Sequence, residues 1–108
     1  MDPNSRAVCI FRSLRTDHSE HDYEQWAKRM DDLVVTMPGY VSHTSFRDDA
    51  SGKGVTISYF DSMEHLVAWK EEPLHREAQA LGRTEFYSEY EIEVAEIVRN
   101  YRWRLPEQ

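Results

Sequence analysis

Two pairs of side chains between Met63 and Tyr87 stand four residues apart and carry groups able to move a proton or bind an oxygen: His65 with Trp69, and His75 with Gln79. Residues four apart share one face of a helix, so each pair is presented together if this stretch is helical. Imidazole is the side chain whose ordinary pKa lies close to neutral, which makes His65 and His75 the candidate general bases. Setting Leu74, Ala78 and Leu81 at the centre of a buried stripe puts His75 and Gln79 on its border, where a polar group would line a pocket. Arg76, Ala80 and Arg83 then point further out. Core burial alone accounts for Trp69, and a half-exposed helix position for His65.

The remaining reactive residue types are less well placed. His43 lies in a strand whose parity with Val41 and Ser45 could turn it inward, as a third candidate base. His18 and His21 form an HxxH among Asp17, Glu20 and Asp22, but a solvated helix start lacks the preorganised geometry of a metal site, and no metal is assigned. Cys9 has no nucleophile signature around it and reads as a small core residue. The chain contains no glycine-rich phosphate loop, dinucleotide fingerprint or cysteine cluster, so no flavin, nicotinamide or iron–sulfur cofactor is assigned.

The elements that must position these groups follow from periodicity. Residues 1–6 read as a loose arm. Ala7 to Leu14 (AVCIFRSL) is a strand with apolar residues on both faces, as expected of one covered on both sides. Asp17, with Glu20 three residues on, offers a capping box. Tyr23, Trp26, Ala27, Met30, Leu33, Val34 and Met37 then form one helical stripe, stopped by Pro38-Gly39. Tyr40–Arg47 and Val55–Phe60 alternate as the arms of a hairpin around DDASGKG. Asp61 or Ser62 caps a second helix running to about Glu72, Pro73 restarts it as a first-turn residue, and Gly82 ends it. The last element, Tyr87 to Trp103, exceeds an ordinary strand of about 5–6 residues. Tyr90, Ile92 and Val94 lie on one parity, while Ala95, Ile97, Tyr101 and Trp103 take the other. A strand that switches its buried face in this way is expected to cross into a second subunit's sheet, the alternative being a bulge with a short tail packed on its own subunit, and residues 104–108 are left as a tail.

The order is β-α-β-β-α-β, the α+β ferredoxin-like arrangement of a four-stranded antiparallel sheet with helices on one face. Residues 7–103 form this one domain of a 108-residue chain. The uncovered sheet face then calls for a second copy, giving a homodimer through the sheet faces and the C-terminal strand. A formal charge of −7 argues against nucleic acid or anionic membrane as partner. One cysteine and no apolar run of membrane-spanning or signal length point to a cytoplasmic protein.

The pieces PGY after the first helix, ISYFDS at the strand-to-helix step, AWK…H..AQ..GR..FY and the closing VRNYRW together resemble the antibiotic biosynthesis monooxygenase-like (ABM) superfamily of dimeric α/β barrels, over roughly residues 7–103. The resemblance implies that Trp69 faces the pocket beside the substrate. His65 stands where the quinone-forming members carry asparagine. The haem-degrading members place an iron-ligating histidine near what is here Gln79, and an asparagine on the first strand, where AVCIFRSL offers none.

Without flavin or metal, oxygenation requires a substrate that supplies the electrons, such as a phenol, quinol or enol once deprotonated. The protein must then provide an apolar cavity, a base and donors for the developing oxyanion. The expected cavity lies between sheet and helices, lined by Phe11, Phe46, Tyr59, Leu66, Trp69 and Phe86, with His65 or His75 as base and Tyr87 or Gln79 as donor. The expectation is therefore a cofactor-independent monooxygenase of a small electron-rich aromatic, quinol or enolic metabolite. The alternatives are a non-catalytic dimer that binds a small ligand, and, below it, a haem-binding or haem-degrading relative.

Overall fold

The computed structural model describes residues 3–107. Strand β1 (Ala7–Arg15) is followed by helix α1 (Glu20–Val34), the hairpin β2 (Tyr40–Arg47) and β3 (Lys53–Phe60), helices α2 (Met63–Glu71) and α3 (Pro73–Leu81), a single π-helical turn (Gly82–Phe86), and β4 (Tyr87–Glu96). The strands lie in the order β2-β3-β1-β4 with every neighbouring pair antiparallel, which is the ferredoxin-like α+β topology.

Local chemistry explains most element ends. The Ser62 hydroxyl accepts from the His65 amide at 3.1 Å to start α2. The Glu72 carboxylate accepts from the His75 amide at 3.0 Å, and Pro73, which has no amide hydrogen to satisfy, occupies the first turn of α3. Gly39 turns the chain after α1 at φ 79°, a backbone region glycine enters without steric cost. The start of α1 departs from expectation. It is Ser19, at φ 60°, that precedes the helix without a side-chain cap, because its hydroxyl is bonded to the Glu85 carboxylate instead. The helix also ends three residues short of Met37. Gly82 does not stop α3 either, since the chain continues through the π turn to Phe86.

Register assigns each residue to a face. Ala7 pairs with Phe60, and these two pack with Val34, Leu66 and Trp69 into the core between sheet and helices. Alternation then places Cys9, Phe11, Ser13 and Arg15 of β1 on this helix side, with Tyr90, Ile92 and Val94 of β4 beside them. The other side carries Val8, Ile10, Leu14, Val55, Ile57, Tyr59 and Phe46. Among the described residues both long helices and their core lie on the Ala7 side, so this second, apolar side is left open.

The C-terminal segment is not one long strand. Ladder pairing ends at Glu96, the Ile97 amide adds one bond to the Arg6 carbonyl, and the chain then leaves without regular structure. Val98, Tyr101, Trp103 and Leu105 remain 65–89% exposed, and the Tyr101 hydroxyl accepts from Arg99 at 3.3 Å.

Candidate functional site

The break at Pro73 sets the geometry around Trp69. It turns α3 back so that the His75 imidazole stacks flat on the Trp69 indole, with ring centroids 3.9 Å apart and planes 13° from parallel. His75 Nδ1 lies 2.9 Å from the Trp69 carbonyl oxygen. A carbonyl can only accept, so Nδ1 carries the hydrogen and Nε2 keeps its lone pair. Burial pushes the pKa of His75 below its ordinary 6.5, against the smaller opposing effects of this carbonyl and the Glu72 carboxylate. The ring is therefore neutral at pH 7 and has one basic nitrogen. Gln79, one turn on, donates to the Lys70 carbonyl at 3.1 Å and so ties α3 to the end of α2. It also lines an open recess of about 930 Å³ between the two helices, together with Lys70, Glu71, Arg76, Ala80 and Arg83.

His65 shares a helical face with Trp69 only in projection. Its Nδ1 lies 2.6 Å from the Asp61 carboxylate, and the pair packs against the Pro38-Gly39 turn. Hydrogen bonding from His65 is the main cause holding the Asp61 carboxyl below its ordinary pKa. His43 has both nitrogens engaged, Nδ1 with the Tyr40 hydroxyl at 2.8 Å and Nε2 with Asp31 at 3.0 Å, and so joins β2 to α1. His18 and His21 are exposed, and among the described residues no group of three or more His, Cys, Asp or Glu is arranged to hold a metal ion. Cys9 is half-buried, and burial raises its thiol pKa against the pull of Lys70.

The expected wall is divided by the pleat. Phe11 and Tyr87 come together, with ring centroids 5.2 Å apart, and Tyr23 stands between Tyr87 and Phe86, while Leu66 and Trp69 lie in the core at Ala7 and Phe60. Phe46 and Tyr59 correct the expectation: they pair with Val55 and Val8, on the open side of the sheet, and Phe46 is 64% exposed. One-residue parity decides this, since successive side chains of a strand point to opposite faces of the sheet. Leu74 is also 37% exposed rather than central to a buried stripe, because α3 presents its apolar side obliquely after the break.

A polar cluster that the spacing did not reveal closes the far end of this face. The Arg15 guanidinium lies 3.9 Å above the Tyr23 ring, donates to the Phe86 carbonyl and pairs with Glu20 at 2.9 Å, its side chain only 4% exposed. Arg47 donates to the Tyr23 hydroxyl at 3.1 Å, to Ser13 Oγ at 3.3 Å and to the Gly52 carbonyl at 2.7 Å. The Tyr23 ring in turn meets that of Tyr87 edge-on, with centroids 5.9 Å apart. Burial, followed by the neighbouring Tyr23, pushes the Tyr87 phenol far above its ordinary pKa of 10, so it stays protonated. A bulge between Leu14 and Arg15 brings Tyr87 into this cluster: Leu14 faces Glu89 and Arg15 faces Tyr87, so Tyr87 and Tyr90 share a side although three residues apart. The available signal was Arg15 on the buried parity of β1, where a charged residue is rare unless partnered.

The helix side of the molecule thus carries a neutral histidine stacked on an indole, an aromatic strip from Phe11 to Tyr90, and a cationic end at Arg15 and Arg47. Comparison with known proteins gives the same lineage. The sequence model described as "Antibiotic biosynthesis monooxygenase" matches residues 7–81. The uncharacterized protein YqjZ of Bacillus subtilis (strain 168) is 34% identical over 90 residues, covering 83% of this chain and 77% of its own. Among solved structures, Rv0793 from Mycobacterium tuberculosis superposes with a TM-score of 0.77 at 13% identity, over 91% of this chain and all of that one. SnoaB, a cofactor-independent oxygenase from Streptomyces nogalater, superposes with a TM-score of 0.71 at 17% identity, over 95% of this chain and 99% of its own. Family match and shared fold agree across most of the sequence: this chain belongs to the antibiotic biosynthesis monooxygenase family.

Proposed function

We propose that the protein is a cofactor-independent monooxygenase of a small electron-rich aromatic, quinol or enolic metabolite, with His75 as its base. The observation that carries this reading is the hydrogen bond from His75 Nδ1 to the Trp69 carbonyl, on a ring kept neutral by burial and stacked on the indole. A fixed tautomer with its lone pair on Nε2 is what abstraction of a weakly acidic C–H or O–H proton requires. The description of SnoaB as a cofactor-independent oxygenase supports the same class.

For an activated CH₂ group, the step balances without another reductant. His75 Nε2 takes one proton, and the carbanion passes an electron to dioxygen. Recombination of the two radicals forms a C–O bond. The resulting peroxide loses its second C–H proton and its outer oxygen, which leaves as water with the proton returned from His75. One oxygen atom ends in the new carbonyl and the other in water. Trp69 supplies a flat wall, and the second amide hydrogen of Gln79, the one not given to the Lys70 carbonyl, supplies a donor.

His65 serves in this reading as a support for the Gly39 turn, given its close pairing with Asp61. Haem chemistry has less support, because the expected ligand position is Gln79, whose amide is committed to the Lys70 carbonyl. The working unit in this reading is a cytoplasmic homodimer. A second copy would cover the apolar side around Val8, Ile10, Ile57 and Phe46, and the exposed Tyr101 and Trp103 would seat on the partner.

Oxygen consumption with a panel of anthrones and reduced quinones tests the activity. Wild type and His65→Ala should consume oxygen and His75→Ala should not; uptake at the wild-type rate in His75→Ala would remove the base. Saturable binding of these compounds without any uptake would favour the non-catalytic ligand-binding dimer.

A further inference from the structure

The recess between α2 and α3 gathers positive charge in an otherwise acidic chain. Three cations, Lys70, Arg76 and Arg83, line it against two carboxylates, Glu71 and Glu77, although the sequence holds 20 acidic residues to 13 basic. None of the three cations takes part in an ion pair within 4 Å among the described residues. The spacing explains this. On a helix, partners stand three or four residues apart, and neighbours in sequence do not face each other, so Glu71 does not meet Lys70 and Glu77 does not meet Arg76. No Asp or Glu stands three or four residues from Lys70 or from Arg83. The one that stands so from Arg76 is Glu72, which spends its carboxylate on the His75 amide at 3.0 Å. Arg83 reaches only the Tyr90 hydroxyl, at 3.5 Å.

The shape of the recess matches this charge. Arg76 stands four residues before Ala80 and Arg83 three residues after it, the first on α3 and the second on the π turn that continues the helix. Ala80 contributes only a methyl group, which leaves space between the two long cationic side chains. The volume, about 930 Å³, is that of a small-molecule site, for which about 300–1,000 Å³ is usual. Its lining is charged or polar apart from Ala80, so an aromatic ligand has no surface to pack on, unlike at Trp69. Guanidinium groups present forks of N–H donors that fit the oxygens of a carboxylate or phosphate. Such an anion would also relieve the repulsion among three like charges in one concavity.

We propose that this recess is a second ligand site, which takes the carboxylate or phosphate group of a polar small molecule between Arg76 and Arg83, with Lys70 supplying charge from the end of α2. The recess shares only Gln79 with the Trp69–His75 pair, so the proposal does not depend on the monooxygenase reading.

The experiment is calorimetric titration of the full chain, at pH 8 and low ionic strength, with glucose 6-phosphate, glucuronate and glucose. Wild type should bind one or both anions saturably, and glucose more weakly by about tenfold or more, the range expected for hydrogen bonds to a charged group. Whichever anion binds names the group that the site takes. Arg76→Gln and Arg83→Gln should each weaken binding about tenfold, the loss of one such bond. Ala80→Leu keeps every charge and a strong helix former but fills the space, and should weaken binding as much. Lys28→Gln, an exposed cation on α1, should leave binding unchanged. Binding of neither anion, equal binding of glucose, undiminished binding in the arginine or Ala80 variants, or an equal loss in Lys28→Gln overturns the proposal.

Discussion

Replacing His75 by asparagine would separate its contact with Trp69 from the base role proposed for it. The asparagine amide can still donate to the Trp69 carbonyl from nearly the position of Nδ1, but it has no basic nitrogen. The structural loss is then mainly the stack on Trp69, worth about 0.5–1.5 kcal/mol. For a domain of this size, that lowers Tm by roughly 4–8 °C per kcal/mol. The chemical loss is larger: a positioned general base contributes about 10²–10⁴-fold, so kcat should fall by that factor while KM changes little. The pH dependence carries the sharper signature. His75 has its pKa lowered by folding, so the unfolded chain takes up a proton at a pH where the folded one does not. Its contribution to stability is complete above the ordinary 6.5 and is lost as pH falls below it toward the lowered folded value. With His75 as the base, activity should rise with pH along a limb centred below 6.5 and be flat above it. Oxygen-electrode rates and urea melts between pH 5 and 8 would follow both effects. An asparagine variant with wild-type turnover, or one that retains the acid limb of the rate profile, would refute the assignment of His75 as base.

Other outcomes follow from single contacts. Gly39→Ala would place a methyl group on the His65–Asp61 pair from a backbone at φ 79°, and should cost about 1–3 kcal/mol in urea unfolding with no change in the slope. Phe60→Ala empties a fully buried site and should cost about 3–5 kcal/mol by the same assay. Tyr101→Asp with Trp103→Asp should convert a dimer to a monomer in sedimentation equilibrium, and an unchanged mass would show that the tail does not hold the partner. The raised pKa and half-buried position of Cys9 predict slow reaction with an aromatic disulfide reagent at pH 8, accelerated by urea.

Much of this molecule could be read from local rules. Helical spacing from Tyr23 onward, the hairpin around Asp48–Gly52 and the break at Pro73 each depend on a few adjacent residues, and those elements formed close to where the rules put them, although α1 ends at Val34 rather than Met37 and β3 begins at Lys53 rather than Val55. The resemblance seen in PGY, ISYFDS and AWK also pointed to the family that the comparisons establish. His75 and Gln79 were recognisable because four-residue spacing survives in any helix, whatever packs against it.

What packs against it was decided elsewhere. The bulge at Leu14/Arg15 puts Tyr87 and Tyr90 on one side, against the simple alternation of the strand, and it exists only once β1 and β4 have paired. Phe46 and Tyr59 lie away from the helices because register, rather than composition, assigns a residue to a face. Arg15 and Arg47 come from the ends of different strands, meet over Tyr23 of a helix, and find space above Gly54. No short window of sequence contains that meeting. Side-chain spacing determined which groups were available, and the pairing of distant strands determined which of them share a side of the sheet, since hydrogen-bond register is a property of two segments at once.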